Sequence, residues 1–242
     1  MKQLLAALGL AFGLTAVAHA GVILHNVTQG KGSNAASEGF MYVQDGMLRS
    51  EQRDEHGKLV HLMIFRDDAI WQFDVSDRSY MKMDRATMQR MTAQMPPQLR
   101  AMMEKMSGAG AKGAASWRDT GKTEHVGQYT CRVWTGGSSE LANEYCIVAF
   151  DALPGGGELR ESLQQVGRVV KEVMSGSYLA AAANDLVDYQ RFNGIPAVSR
   201  RDSGDTYLKG VEQKKLPADT FQVPDGYQQK QLPFGPSRAP KP

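Results

Sequence analysis

Between Gly21 and Met83 short apolar-rich runs alternate with turn residues. The runs are GVILHNVTQ, EGFMYVQDG, MLRSEQRD, KLVHLMIFR, AIWQFDV and SYMKM. Asp45-Gly46, His56-Gly57, Asp67-Asp68 and Asp77-Arg78 stand between successive runs, and residues of this kind supply tight turns. Runs rich in β-branched and aromatic residues form strands. A parallel neighbour would need a crossover of about a dozen residues, which these connections lack. The segment is therefore expected to be an antiparallel meander of about six strands. In AIWQFDV, Trp71, Phe73 and Val75 alternate with Gln72 and Asp74, which predicts one buried face.

The stretch from Met81 to Met106 interrupts this meander and holds eight of the chain's 13 methionines. Asp84 is placed to cap a helix carrying Met88, Met91 and Met95 on one side. Pro96-Pro97 ends it, because proline lacks an amide hydrogen and restricts the residue before it. A second short helix would carry Leu99, Met102, Met103 and Met106, and SGAGAKGAAS then links back to strands in SWRDTG and KTEHV. Three readings fit these methionines. Their spacings of three and four are those of an ordinary buried stripe. Thioether sulfur is also a soft ligand suited to Cu(I), although no His, Cys or acidic cluster joins it here. Flexible, polarizable side chains also suit an adaptable lid over an apolar site.

Cys131 and Cys146 are the two cysteines, in the strand-like segments GQYTCRVWT and LANEYCIVAF on either side of GGSSE. Setting Cys131 opposite Cys146 places Tyr129 against Val148 and gathers Tyr129, Cys131, Cys146, Val148 and Phe150 on one face. The expected bridge closes a loop of about 15 residues and would contribute roughly 3 kcal/mol. There is no C-x-x-C, so the pair is read as structural.

A second helical region is expected from about 158 to 191, with Leu159, Leu163, Val166, Val170, Val173 and Met174 in one apolar stripe. Gly176 would end its first helix, and Tyr178, Ala182, Leu186 and Tyr189 mark another. Strand-like GIPAVSRRDS, DTYLKGVEQKK and FQVPDGY follow.

The N-terminus has the form of a secretory signal: Lys2, an apolar run from Leu4 to Val17, then Ala18-His19-Ala20. Cleavage after Ala20 would start the mature chain at Gly21 and direct it to the periplasm of a Gram-negative cell, which suits a disulfide. No segment of the mature chain approaches transmembrane length. Removing Lys2 from the 28 basic side chains leaves 27 against 26 acidic ones, a balance that gives no electrostatic case for nucleic acid. The Pro-rich residues 228–242 are expected to form a disordered tail.

Motifs for catalysis or a cofactor do not emerge. His25, His56, His61 and His125 lack zinc spacing, with His56 expected exposed in a turn and His61 in a strand core. GGSSE and SGS do not resemble G-x-S-x-G. LPGGGEL lacks the Lys-Ser/Thr of a phosphate loop and reads as a strand-to-helix connection. Asp67, Asp68, Asp74 and Asp77 read as turn residues rather than paired catalytic carboxylates. The chain is expected not to be an enzyme and to need no cofactor.

Five segments, in order, carry a resemblance: YVQDGMLRSE, MIFRDDAIWQFDVSDRSYMKM, TGKTEHVGQYTCRVW, GIPAVSRR and LPADTFQVPDGY. The chain resembles a family of exported bacterial proteins of unknown function, itself similar to the periplasmic lipoprotein carriers of the lipoprotein-localisation type. The resemblance spans most of Gly21 to Tyr227. It implies an α+β fold: a curved antiparallel sheet, an incomplete β-barrel, with helices covering its concave face. It implies one domain over 21–227, with helical insertions at about 84–107 and 158–191. The function expected on that scaffold is a binding or carrier role, holding a hydrophobic small molecule, an acyl chain or a protein segment. The candidate site is the strand face of Trp71 and Phe73 under a lid bearing Met88, Met91, Met95, Met102, Met103 and Met106. The alternative is a periplasmic protein that handles Cu(I) through those methionines.

Overall fold

The computed structural model describes residues 20–32, 35–98, 101–102, 117–136, 144–174 and 191–230. Six strands form the meander: β1 (Gly21–Gly30), β2 (Ala36–Gln44), β3 (Met47–Arg53), β4 (Leu59–Arg66), β5 (Ala69–Asp74) and β6 (Ser79–Met83). Helix α1 (Arg85–Gln94) follows, then β7 (Arg118–Val126), β8 (Tyr129–Thr135) and β9 (Glu144–Ala149). A 3-10 turn at Phe150–Ala152 leads into α2 (Gly156–Met174). Strands β10 (Gly194–Arg201), β11 (Gly204–Lys214) and β12 (Gln228–Gln229) complete the described chain. The predicted signal segment, the link at 107–116, and residues 175–190, where Gly176, Tyr178, Ala182, Leu186 and Tyr189 fall, lie outside the described residues.

All twelve strands belong to one sheet, in the order β12-β6-β5-β4-β3-β2-β1-β11-β10-β9-β8-β7. The order is linear and β12 and β7 are its ends, so the sheet is open rather than closed into a barrel. The fold is a sheet-rich α+β fold. Every pairing is antiparallel except β12 on β6. The two-residue turns are made as their residues dictate. Asp45 and Gly46 adopt φ of 51° and 73°, and Asp67 and Asp68 adopt 51° and 52°. Positive φ at both central positions is the hairpin turn whose twist matches the strands, and Asp tolerates it better than bulkier residues. What local chemistry does not reveal is that β1 pairs with β11 across the whole of its length, which makes the first strand a central one.

The disulfide joins Cys131 to Cys146, with Cα atoms 5.3 Å apart. Its register differs from the expected one. Val133, not Cys131, lies opposite Cys146, and Arg132 lies opposite Ile147, so the bridge runs diagonally across the hairpin. A shift of two residues preserves the parity of a strand. Tyr129, Cys131, Cys146, Val148 and Phe150 therefore still share one buried cluster, as expected from the sequence.

Alternation gives the sheet two apolar faces. One carries Val22, Val43, Leu48, Phe65, Ile70 and Met83, and helix α2 packs there. Leu159, Leu163, Val166, Val170 and Val173 are all buried in that cluster. Burying such a side chain is worth about 1.5–3 kcal/mol. The β2–β3 turn anchors the helix start: Asp45 N–H donates to Glu158 Oε1 (2.7 Å) and Gly46 N–H donates to Ser162 Oγ (3.1 Å). Gly46 suits this turn by its φ of 73°, and a Cβ there would stand 2.1 Å from Gln165 Oε1, so that side chain would have to swing away. The LPGGGEL segment is the connection from the 3-10 turn into α2. At Gly156 a Cβ would stand 1.8 Å from the Phe150 carbonyl oxygen.

The reverse face carries two separate clusters. Trp117, Ile147 and Phe192, with Trp134 and Tyr145 against them, form one; Trp117 stacks on Tyr145 at 4.4 Å. The other contains Leu62, Ile64 and Phe73 and is covered by the segment from Leu216 to Tyr227. That segment crosses the face as a strap. Arg49 Nη1 donates to the Thr220 carbonyl (3.1 Å), and Arg66 Nη1 donates to the Phe221 carbonyl (3.1 Å). The expected tail from residue 228 instead starts as a strand: Gln228 and Gln229 pair with Ser79 and Tyr80. Residues 231–242 lie outside the described residues.

Candidate apolar site on the helix-bearing face

Helix α1 begins at the expected cap. Asp84 Oδ1 accepts from the Thr87 amide at 2.8 Å, and hydrogen bonds from Thr87 hold the Asp84 carboxyl below its usual range. The helix ends at Met95, which is extended (ψ 131°) as the residue before Pro96 must be. Met88 is buried in the helix-side cluster and Met91 packs against it half-buried. Met95 is half-buried at the helix end. Met102, beyond Pro96-Pro97, is 58% exposed. Met103 and Met106 lie outside the described residues.

Trp71 and Phe73 are on the other face. The structure does not bring them together with the methionine helix. Phe73 is buried with Leu62, Ile64, Leu216 and Phe221, and Tyr227 meets its ring edge-on at 5.1 Å. Trp71 is half-buried, with the Arg66 guanidinium 4.8 Å and the Lys82 ammonium 5.3 Å from its ring centre. The expectation that these rings lie under the helices rests on a single buried face in AIWQFDV. Strand β5 has two: Ile70, one residue away from Trp71, faces α2. The strap rather than a helix covers Phe73.

What the helices do border is a row that the sequence reading does not assemble. Met41 on β2 lies opposite Leu24 on β1 and Ser50 on β3. Ser50 lies opposite Met63 on β4, Met63 opposite Gln72 on β5, and Gln72 opposite Met81 on β6. Met41 and Met63 pack against the helix-side cluster. Parity places Met81 on the same face, two residues before the buried Met83. All three methionines are half-buried, whereas the adjacent row of Val43, Leu48, Phe65, Ile70 and Met83 is buried. The row thus marks the margin where the helix cover gives out. A signal for it exists in the sequence: the two-residue turns at Asp45-Gly46 and Asp67-Asp68 set Met41 opposite Ser50 and Met63 opposite Gln72. Joining these two hairpins requires the β3–β4 register, which a bulge at Gln52/Arg53 obscures.

Charged groups do not gather at this row. Among the described residues no group of three or more His, Cys, Asp or Glu is placed to hold a metal ion. His56 is exposed in its turn, and His61 is half-buried rather than in a core. A cavity of about 320 Å³ lies elsewhere, where β12 meets β6, and it is polar: Asp77, Arg78, Ser79 and Lys230 contribute to its walls. No helix among the described residues is long and apolar enough to cross a membrane.

No family model matches this chain, and no curated protein does. Solved structures do show likeness. An uncharacterized conserved protein from Thermus thermophilus is 7% identical, with a TM-score of 0.45 over 88% of this chain and 91% of that one. PNGF-II is 8% identical, with a TM-score of 0.34 over 87% of this chain and 31% of that one.

Proposed function

We propose that the protein is an exported, non-enzymatic binding protein of the carrier type, which holds an acyl chain or similar elongated apolar group along Met41, Met63 and Met81. In this reading the sheet is a curved, incomplete barrel and its helices lie on the concave side. The observation that carries it is the half-buried methionine row at the edge of a fully buried helix-to-sheet core. Methionine adapts to varied apolar shapes, which suits a surface that must be covered with and without ligand. The three residues stand on every second strand, so their backbones are roughly 9–10 Å apart. That spacing fits a chain laid across the strands better than a single Cu(I) ion. The ordered segments that resemble an exported family, itself similar to the lipoprotein carriers, are in keeping with this reading.

About ten buried methylenes at ~0.8 kcal/mol each give ~8 kcal/mol gross, which corresponds to micromolar affinity before ordering costs are subtracted. A fluorescent fatty-acid analogue titrated below its micelle point is expected to bind in the micromolar range. Met63→Glu should weaken it at least tenfold, because a carboxylate cannot be buried beside the chain without losing its charge or its solvation. Trp71→Ala, on the opposite face, should leave the affinity unchanged. Absence of binding, or loss with Trp71→Ala but not with Met63→Glu, would refute the assignment.

A further inference from the structure

Gly21 is the first residue of β1 and, by the export reading on which this inference rests, the first residue of the mature chain. Its surroundings are unusual for a chain end. It is buried between β2 and the segment after β11. A Cβ at this position would stand 2.6 Å from both Cγ and Cδ1 of Leu216 and 3.0 Å from Gln44 Oε1. That oxygen is itself buried and, among the described residues, accepts no hydrogen bond. The Gln44 amide is oriented by its other end, since Nε2 donates to Asp45 Oδ2 at 3.2 Å. A buried carbonyl acceptor without a donor is costly and is normally satisfied in a native protein.

We propose that cutting the Ala20–Gly21 bond completes this corner of the fold: the new Gly21 α-ammonium docks against Leu216 and donates to Gln44 Oε1. The reaction is hydrolysis by an exported endopeptidase that reads Ala-x-Ala. Water adds its oxygen to the Ala20 carbonyl, the C–N bond breaks, and the released Gly21 amine takes up protons to become an ammonium. A peptide nitrogen offers one hydrogen, fixed in the peptide plane; an ammonium offers three that turn freely about the N–Cα bond. Glycine suits this position because a Cβ would stand 2.6 Å from Leu216.

The test uses chain made without export, so that it stands apart from the question of localisation. A cleavable tag is removed to leave Gly21 as the first residue, and a parallel form retains Ala18-His19-Ala20 ahead of it. The α-amine of the trimmed protein is labelled with an acylating reagent in buffer and in urea, and the site is read by mass spectrometry. At least tenfold slower labelling in the native state is expected, and Gln44→Met should abolish most of that protection without changing the circular dichroism spectrum. The trimmed protein should melt about 3–12 °C above the extended form, the shift expected for one charge-assisted hydrogen bond in a domain of this size. Equal labelling rates in buffer and urea would overturn the proposal. So would protection that Gln44→Met leaves intact, or equal melting temperatures. Separately, the intact mass of the exported protein should begin at Gly21; a different start would refute cleavage at this bond and leave the docking result to stand or fall by itself.

Discussion

The two faces of the sheet are covered in different ways. On one, the 19-residue helix α2 sets five buried side chains into the core, with Met88 of α1 beside it, and is anchored at its start by the β2–β3 turn. On the other, an irregular strap buries Leu216 and Phe221, leaves Val223 and Tyr227 partly exposed, and is held by arginine bonds to its carbonyls. A helix satisfies its own backbone and can spend its whole apolar stripe on packing. A strap must find partners for its carbonyls on the surface it covers, which is the role of Arg49 and Arg66. The helix face should therefore open only with global unfolding, and the strap should open locally at lower cost.

Leu159→Ala tests the first half of this contrast. Leu159 is fully buried, and a cavity there should lower unfolding free energy by about 2–5 kcal/mol in urea titration. A loss below 1 kcal/mol, taken as about the scale of a surface change, would mean that α2 is not the clamp described here. Next in size is the disulfide. Replacing Cys131 and Cys146 together by Ala should cost about 3 kcal/mol through the unfolded chain, and thiol labelling of the denatured, unreduced protein should find no free sulfhydryl. Two reactive thiols in that assay would remove the bridge from the account.

Phe221→Ala sharpens the contrast from the strap side. The strap can lift away instead of leaving a cavity, so the cost should be limited to the transfer term, about 1.5–3 kcal/mol. Amide exchange should quicken at 216–230 and leave α2 protected; uniform quickening would erase the distinction between the faces. The smallest effect concerns the strap's end, where Lys230 bonds Asp77 at 2.6 Å and lies 3.6 Å from Asp74. The Ser76 hydroxyl, then the Asp77 amide and Lys230, hold the Asp74 carboxyl below its usual range. A depressed carboxyl contributes above its unfolded pKa, and the contribution is lost as pH falls through the folded value. The hydrogen bond to Asp77 raises the Lys230 pKa, so its contribution is present below the ordinary lysine value and is lost as pH rises through the folded one. The Gln228 and Lys230 amides should thus be best protected between these limits, with exchange measured from pH 3 upward corrected for its intrinsic rate. Protection that persists unchanged through the acid end would show that the ion pairs do not hold the strap.

Much of this architecture was legible along the chain. The left-handed turns at Asp45-Gly46 and Asp67-Asp68, the Asp84 cap, the Pro96 stop and the stripe from Leu159 to Val173 each depend on residues within a few positions of one another. Strand parity was legible as well, which is why Tyr129, Cys131, Cys146, Val148 and Phe150 share a cluster even though the hairpin register is shifted by two. That an antiparallel sheet is interrupted by helical segments follows from these local rules; that the sheet stays open, with β12 and β7 at its ends, does not. Three further features belong to the tertiary structure. Strand β1 pairs with β11, almost two hundred positions away by number, and no local signal selects that partner. The strap took the face of Phe73 and α2 took the face of Ile70, because both faces of β5 are apolar and alternation cannot say what covers either. The methionine row exists only once three strands from separate hairpins are brought into register. Period-two patterning determines which residues lie on the same side; only long-range packing decides what lies above them.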